Sequence, residues 1–113
     1  MPKLDRRPRV FVAGPYSKPD PCLNVHRAIH IANELWDIGF APFLPHLTHL
    51  WHTVTPKPYT TWLDIDKQWL PCADAVYRIG GESSGADKEC ELAVLLGIRV
   101  FGSIDTMKSY FEL

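Results

Sequence analysis

The run Val10-Phe11-Val12-Ala13-Gly14, closed by Pro15, is apolar without interruption. A strand with one wet face alternates apolar and polar residues, so an unbroken run stopped by Gly-Pro reads as a strand buried on both faces. That is the mark of a parallel sheet with helices packed on each side. The rest of the chain alternates accordingly. A turn containing Ser17, Pro19, Asp20 and Pro21 leads into a helix over 23–38, with Val25, Ala28, Ile29, Ala32, Leu35 and Trp36 at helical spacing and Gly39 as its stop. Residues 40–44 read as a second strand. A long Pro-, His- and Thr-rich loop over 45–58 follows, and loops of that length in small domains tend to carry function. A helix is expected over 59–72, a strand over 75–79 broken by Gly80-Gly81, a helix over 85–96, a strand over 99–101 and a closing helix over 105–111. The expected fold is α/β, a single-domain parallel sheet of four to five strands with helices on both faces, joined by right-handed crossovers.

With 113 residues the chain has room for one domain. Residues 1–8 read as a flexible leader, carrying Lys3, Arg6 and Arg7 of a basic cluster that ends at Arg9, and residues 9–113 as the domain. The 12 Lys and Arg against 13 Asp and Glu give no broad positive field, which argues against a nucleic-acid polymer as partner. Cys22, Cys72 and Cys90 are odd in number and form no CxxC pair, so neither a disulfide framework nor a Cys-rich zinc site is expected. The N-terminal residues lack a signal-peptide core, and no apolar run approaches the roughly 18 residues of a membrane span. A cytoplasmic protein without membrane contact follows as the expectation.

In parallel sheets ligands sit beyond the carboxyl ends of the strands, which directs attention to residues 14–17, 45–52 and 80–89. The last stretch, Gly80-Gly81-Glu82-Ser83-Ser84-Gly85-Ala86-Asp87-Lys88-Glu89, is a Gly/Ser loop opening a helix. Ser84 is the expected N-cap with Asp87 as its capping-box partner, and the first-turn N–H groups suit a phosphate or a sugar hydroxyl. At 100° per residue Asp87, Lys88 and Glu91 share one side of this helix, while Glu89 lies with Leu92, Ala93 and Leu96 and turns inward. The nearby helix N-terminus favours an ionised Glu89, as a nucleophile requires. Asp66 shares a helical face with Trp62, Trp69 and Leu70, and the two carboxylates are placed to meet at the sheet's carboxyl edge, an arrangement used for glycosyl chemistry. His46, His49 and His52 recur every three residues, and His26 and His30 are four apart; without HExxH or a carboxylate at ligand spacing they read as lining or packing groups, and no metal or other cofactor is expected. Tyr16, Trp51 and Trp62 fall near the expected mouth and can stack on a planar base.

Four segments, Phe11-Val12-Ala13-Gly14-Pro15-Tyr16, Pro45-His46, Asp66-x-x-Trp69-Leu70-x-x-Ala73-Asp74 and Ser83-x-Gly85-x-x-x-Glu89, stand in the order found in the nucleoside 2-deoxyribosyltransferase superfamily, which includes the 2'-deoxynucleoside 5'-phosphate N-hydrolases. The chain resembles that superfamily over roughly residues 9–102. The resemblance implies a flavodoxin-like or Rossmann-like domain that cleaves an N-glycosidic bond without a metal. It implies Glu89 as the nucleophile on C1' and Asp66 as a ligand of sugar hydroxyls or a proton source for the departing base. Gly14, Pro15, His46, Ser83, Ser84 and Gly85 are the substrate-binding residues it implies, with His46 on the phosphate side, and Trp62 joins them from its place near the expected mouth. Transferases of free nucleosides tend to carry Asp where Ser83 stands and nucleotide hydrolases Ser, so Ser83 favours a nucleoside 5'-monophosphate. Phe11 stands where some members have a glutamate-orienting tyrosine, leaving Tyr16 to serve, and Lys18 is the nearest cation where the hydrolases have an arginine. Hydrolysis, base exchange and ligand binding without turnover are the three readings. The partner is a small nucleoside or nucleotide in each. A homodimer or larger homo-oligomer is also implied, supported by apolar Val94 and Leu95 and by Tyr110 and Phe111 near the C-terminus.

Overall fold

The computed structural model describes residues 5–113. Four strands, β1 (Arg9–Ala13), β2 (Ala41–Phe43), β3 (Ala75–Arg78) and β4 (Arg99–Phe101), form one all-parallel sheet in the order β2-β1-β3-β4. Five helices accompany it: α1 (Pro21–Ile38), α2 (Thr48–Val54), α3 (Tyr59–Trp69), α4 (Ser84–Leu95) and α5 (Ile104–Tyr110). The α/β architecture is therefore the expected one, with the strand order of flavodoxin-like sheets.

Strand β1 shows why its run is apolar throughout. Val10 and Val12 enter one core with Ala28 and Leu35 of α1 and Met107 of α5, whereas Phe11 and Ala13 enter the other with Leu70, Ala86 and Ala93. Each face of the central strand is thus sealed by different helices. Helix α1 starts two residues earlier than its apolar spacing suggests, because Asp20 accepts from the Cys22 and Leu23 N–H groups and Pro21 has no N–H that needs an acceptor. Tyr110 and Phe111, both partly buried, pack against Phe40 and Phe101 inside this chain.

Three further expectations are corrected. The stretch over 45–58 is not an irregular loop: a 3-10 turn at Pro45–Leu47 runs straight into α2. Ser83, and not Ser84, caps α4, its side chain accepting from the Ala86 N–H, while Asp87 pairs with Arg78 at 2.9 Å. Of the supposed flexible leader, residues 1–4 lie outside the described residues, whereas residues 6–8 are held to the domain. Arg6 pairs with Asp74, Arg7 donates to the carbonyls of Trp36 and Phe40 while its guanidinium stacks on the Trp36 ring, and the Pro8 carbonyl accepts from Ala41. Among the described residues no helix is long and apolar enough to cross a membrane.

Candidate active site

The carboxyl ends of β1, β2 and β3 open onto one depression, at the β1/β3 position where this strand order reverses direction. From β1 come Gly14, Pro15 and Tyr16. Gly14 passes so close to Ile79 after β3 that a Cβ there would clash at 2.8 Å, so the first strand's exit depends on the missing side chain. From β2 come Pro45 and His46, followed by α2. From β3 comes the 79–83 loop, held by Arg78, whose guanidinium donates to the carbonyls of Ile79 and Gly81 and to Asp87. Helices α3 and α4 then bring Asp66 and Glu89 to the floor.

The two carboxylates are the chemical centre. Glu89 is 8% and Asp66 9% exposed, and they lie within hydrogen-bonding range of each other. The Glu89 Oε2 atom is buried with no partner among the described residues. Burial raises both carboxyls, Asp66 to about 6 and Glu89 to about 9; for Glu89 the neighbouring Asp66 adds to the rise and Arg78 opposes it. The pair therefore holds one shared proton near neutrality. This corrects the expectation of a resting Glu89 ionised by its helix N-terminus: desolvation beside a second carboxyl outweighs the fractional charge of a helix end.

Around the pair lies an inner cavity of about 60 Å³, lined by Gly14, Tyr16, His46, His52, Tyr59 and Trp62, with Ser83 and Gly85 at its edge. It has room for a few waters and not for a sugar ring. Tyr16, Tyr59, Ser83 and Gly85 also line an outer chamber of about 640 Å³, bounded further by Pro15, Lys18, Arg27, Glu82 and Ser84. All ten residues expected from sequence thus reach this one depression.

His46, His49 and His52 have separate hydrogen-bond partners, while His26 and His30 meet edge-on on α1 with centroids 4.5 Å apart. His46, buried, donates from Nε2 to the Pro15 carbonyl at 3.0 Å; burial pulls it below the ordinary imidazole range, so it is neutral and its Nδ1 is an unpartnered buried acceptor. In that state it offers a phosphate neither charge nor donor, but suits a sugar hydroxyl. His49 Nδ1 shares a 2.6 Å hydrogen bond with the Tyr16 hydroxyl. His52 Nδ1 accepts from the Trp62 indole at 2.9 Å and from the Lys57 N–H at 3.2 Å. Trp51 meets Trp62 edge-on, and Phe11 is sealed in the core against Phe43, with no hydroxyl to offer the glutamate.

Three residues near the site are absent from the sequence-based set. Arg27, on α1, donates to the Gly80 carbonyl at 2.9 Å and faces the outer chamber as a second cation beside Lys18. Its i, i+4 spacing from Leu23 on an apolar helix gave no hint of this. Arg78 follows a strand pattern that predicted only burial. Tyr59 opens α3 where the apolar spacing starts at Trp62.

No family model matches the chain, nor does any curated protein. Among solved structures the chain is similar to a 2-deoxyribosyltransferase from the psychrotolerant bacterium Bacillus psychrosaccharolyticus, described as a biocatalyst for synthesis of antiviral and antitumoral nucleosides. The two superpose with a TM-score of 0.58 over 85% of this chain and 75% of that one, at 21% identity. The chain has the fold of that enzyme, a parallel α/β domain.

Proposed function

We propose that the protein belongs to the nucleoside 2-deoxyribosyltransferase superfamily and cleaves the N-glycosidic bond of a nucleoside 5'-monophosphate or (deoxy)nucleoside through a glycosyl ester on Glu89. The observation that carries this reading is the buried Asp66–Glu89 pair beside a cavity at the sheet's carboxyl edge. A pair with one proton supplies both functions that the bond cleavage needs. With the proton on Asp66, the Glu89 carboxylate bonds to C1' as the C1'–N bond breaks, and the base nitrogen takes the proton from Asp66. Water then attacks C1', the ester C–O bond breaks, and Asp66 takes the water's proton. The pair ends with the proton count it started with. The developing positive charge on the sugar is stabilised by the ionised carboxylate in a site shielded from water.

The outer chamber supports the 5'-phosphate. Lys18 and Arg27 face it from one side and the Ser83-Ser84 start of α4 from the other, although Glu82 also borders it. The fold shared with a 2-deoxyribosyltransferase favours a second reading, transfer of the glycosyl group to another base in place of water. The unpaired Cys22, Cys72 and Cys90 support a reducing, cytoplasmic setting, and exposed Val94 and Leu95 on α4 support self-association.

The test is a panel of nucleosides and their 5'-monophosphates, with and without a free acceptor base, analysed by chromatography. Wild type is expected to release base, and Glu89→Gln to lose at least a thousandfold of that rate. A mixed nucleoside appearing only with the acceptor identifies the transferase. Thermal stabilisation by a nucleotide with no base released identifies a binding domain, and a fully active Glu89→Gln ends the proposal.

A further inference from the structure

Glu89 carries a buried oxygen, Oε2, with nothing bound to it among the described residues. One helical turn earlier on the same face of α4 is Gly85, where a Cβ would collide with the Tyr59 hydroxyl and would lie 3.6 Å from a Leu63 methyl. Glycine is what lets the phenol rest against α4. Tyr59, Leu63 and Asp66 form the face of α3 that meets α4, so the hydroxyl sits on the stripe that ends at the carboxyl pair. It lines both chambers, half of the residue is exposed, and its hydroxyl has no hydrogen bond among those of the described residues. A free donor and a free buried acceptor thus stand about one turn apart, on the path between the chamber that admits a ligand and the cavity where it would react.

We propose that Tyr59 is the positioning residue of Glu89: once a sugar docks over Gly85, where the outer chamber meets the inner cavity, the Tyr59 hydroxyl donates a hydrogen bond to Glu89 Oε2. This rests on the glycosyl-transfer reading above. The bond fixes the carboxylate that attacks C1' and lowers its hold on the shared proton, leaving that proton on Asp66, from which the departing base takes it. No covalent step is added. The Tyr59 phenol holds its proton more tightly than usual, first through partial desolvation and then because both carboxylates face it, which agrees with a donor that never ionises in the cycle. Other titratable or charged groups facing Glu89 are Asp66 from α3, Arg78 from β3, and Tyr16, His46 and His52 across the cavity.

The test compares wild type with Tyr59→Phe, which keeps the ring and removes the donor. In the pH profile of kcat for base release, the variant's acid limb is expected to move upward by about one pH unit, because a carboxylate that loses a charge-assisted hydrogen bond is harder to ionise. A structural role for the ring alone leaves the limb in place and overturns the proposal. A second readout does not need turnover: in protein with carbon-13-labelled glutamate side chains and saturating 2-deoxyribose 5-phosphate, Glu89 is expected to titrate about one unit lower in wild type than in Tyr59→Phe. Equal midpoints in the two sugar complexes overturn the proposal while leaving the enzyme reading intact. If neither protein binds the sugar nor releases base, the functional reading fails and this one falls with it. Gly85→Ala, which pushes the hydroxyl off its seat, is expected to give the same upward shift in wild type and no further shift on top of Tyr59→Phe; additive shifts would show that the two act separately.

Discussion

Two carboxyls enclosed side by side are a burden to folding, and its sign follows from their titration. Both groups hold protons more tightly in the folded chain than in the unfolded one, so the stability they permit is complete below the unfolded carboxyl range and is lost as pH rises through the folded values, about 6 and about 9. Buried His46 acts in the opposite sense below its unfolded value, and comparing variants at one pH cancels it. Glu89→Gln is thus expected to be more stable than wild type at pH 8 by about 1–3 kcal/mol in urea unfolding, with the gap closing by pH 5. Equal stabilities at pH 8 would show that the pair ionises freely. Glu89 was legible in the sequence because 100° per residue placed it among Leu92 and Ala93, and Asp66 because it shares a stripe with Trp62 and Leu70. Their mutual titration was not, since it depends on how α3 and α4 dock. Tyr59 escaped for the same reason: nothing in its own neighbourhood along the chain records that a glycine 26 positions later (85 − 59) leaves it room.

Among the elements, α4 has the most assignments to keep apart. Its cap and its expected ligand both fall on Ser83, whose side chain already accepts from the Ala86 N–H. Two substitutions separate the roles. Ser83→Ala removes the cap and is expected to cost about 1 kcal/mol in thermal unfolding, whereas Ser83→Asp keeps a capping oxygen and costs little. On substrates the order differs: the added negative charge of Ser83→Asp is expected to lower kcat/KM for a 5'-monophosphate at least tenfold relative to the free nucleoside, and Ser83→Ala to affect both less. A Ser83→Asp protein with unchanged preference would move the phosphate elsewhere. The element that sequence reading missed outright is α2. Leu47, Leu50, Trp51 and Val54 stand at i, i+3, i+4 and i+7, a helical period hidden among the Pro, His and Thr of the segment; none of Thr48–Val54 is buried, and the helix is held by Tyr16 on His49 and Trp62 on His52. Boundaries elsewhere moved by one or two residues, chiefly where a side chain caps a helix: Asp20 draws α1 forward and Ser83 does the same for α4.

At the scale of the molecule the sheet divides the interior into two cores with different duties. Leu35 belongs to the core under α1 and α5, away from the site, while Leu70 belongs to the one under α4, just beyond the helix that carries Asp66. Truncating either to Ala is expected to cost about 2–5 kcal/mol, and the losses to add because the sheet separates them. Below the melting range, Leu35→Ala is expected to keep the wild-type KM and pH profile and Leu70→Ala to shift them; identical kinetics in both would mean that the second core does not hold the carboxyl pair in place. This division was readable from β1 alone, since an uninterrupted apolar strand must have a covered surface on either side. The two outer strands, β2 and β4, are only three residues long, and β2 contains Pro42, which has no N–H to give. A neighbouring chain seeking to extend the sheet finds almost no rail of open donors and acceptors to lock onto, so the fold that opens a cleft at its rim also denies fibrils a template.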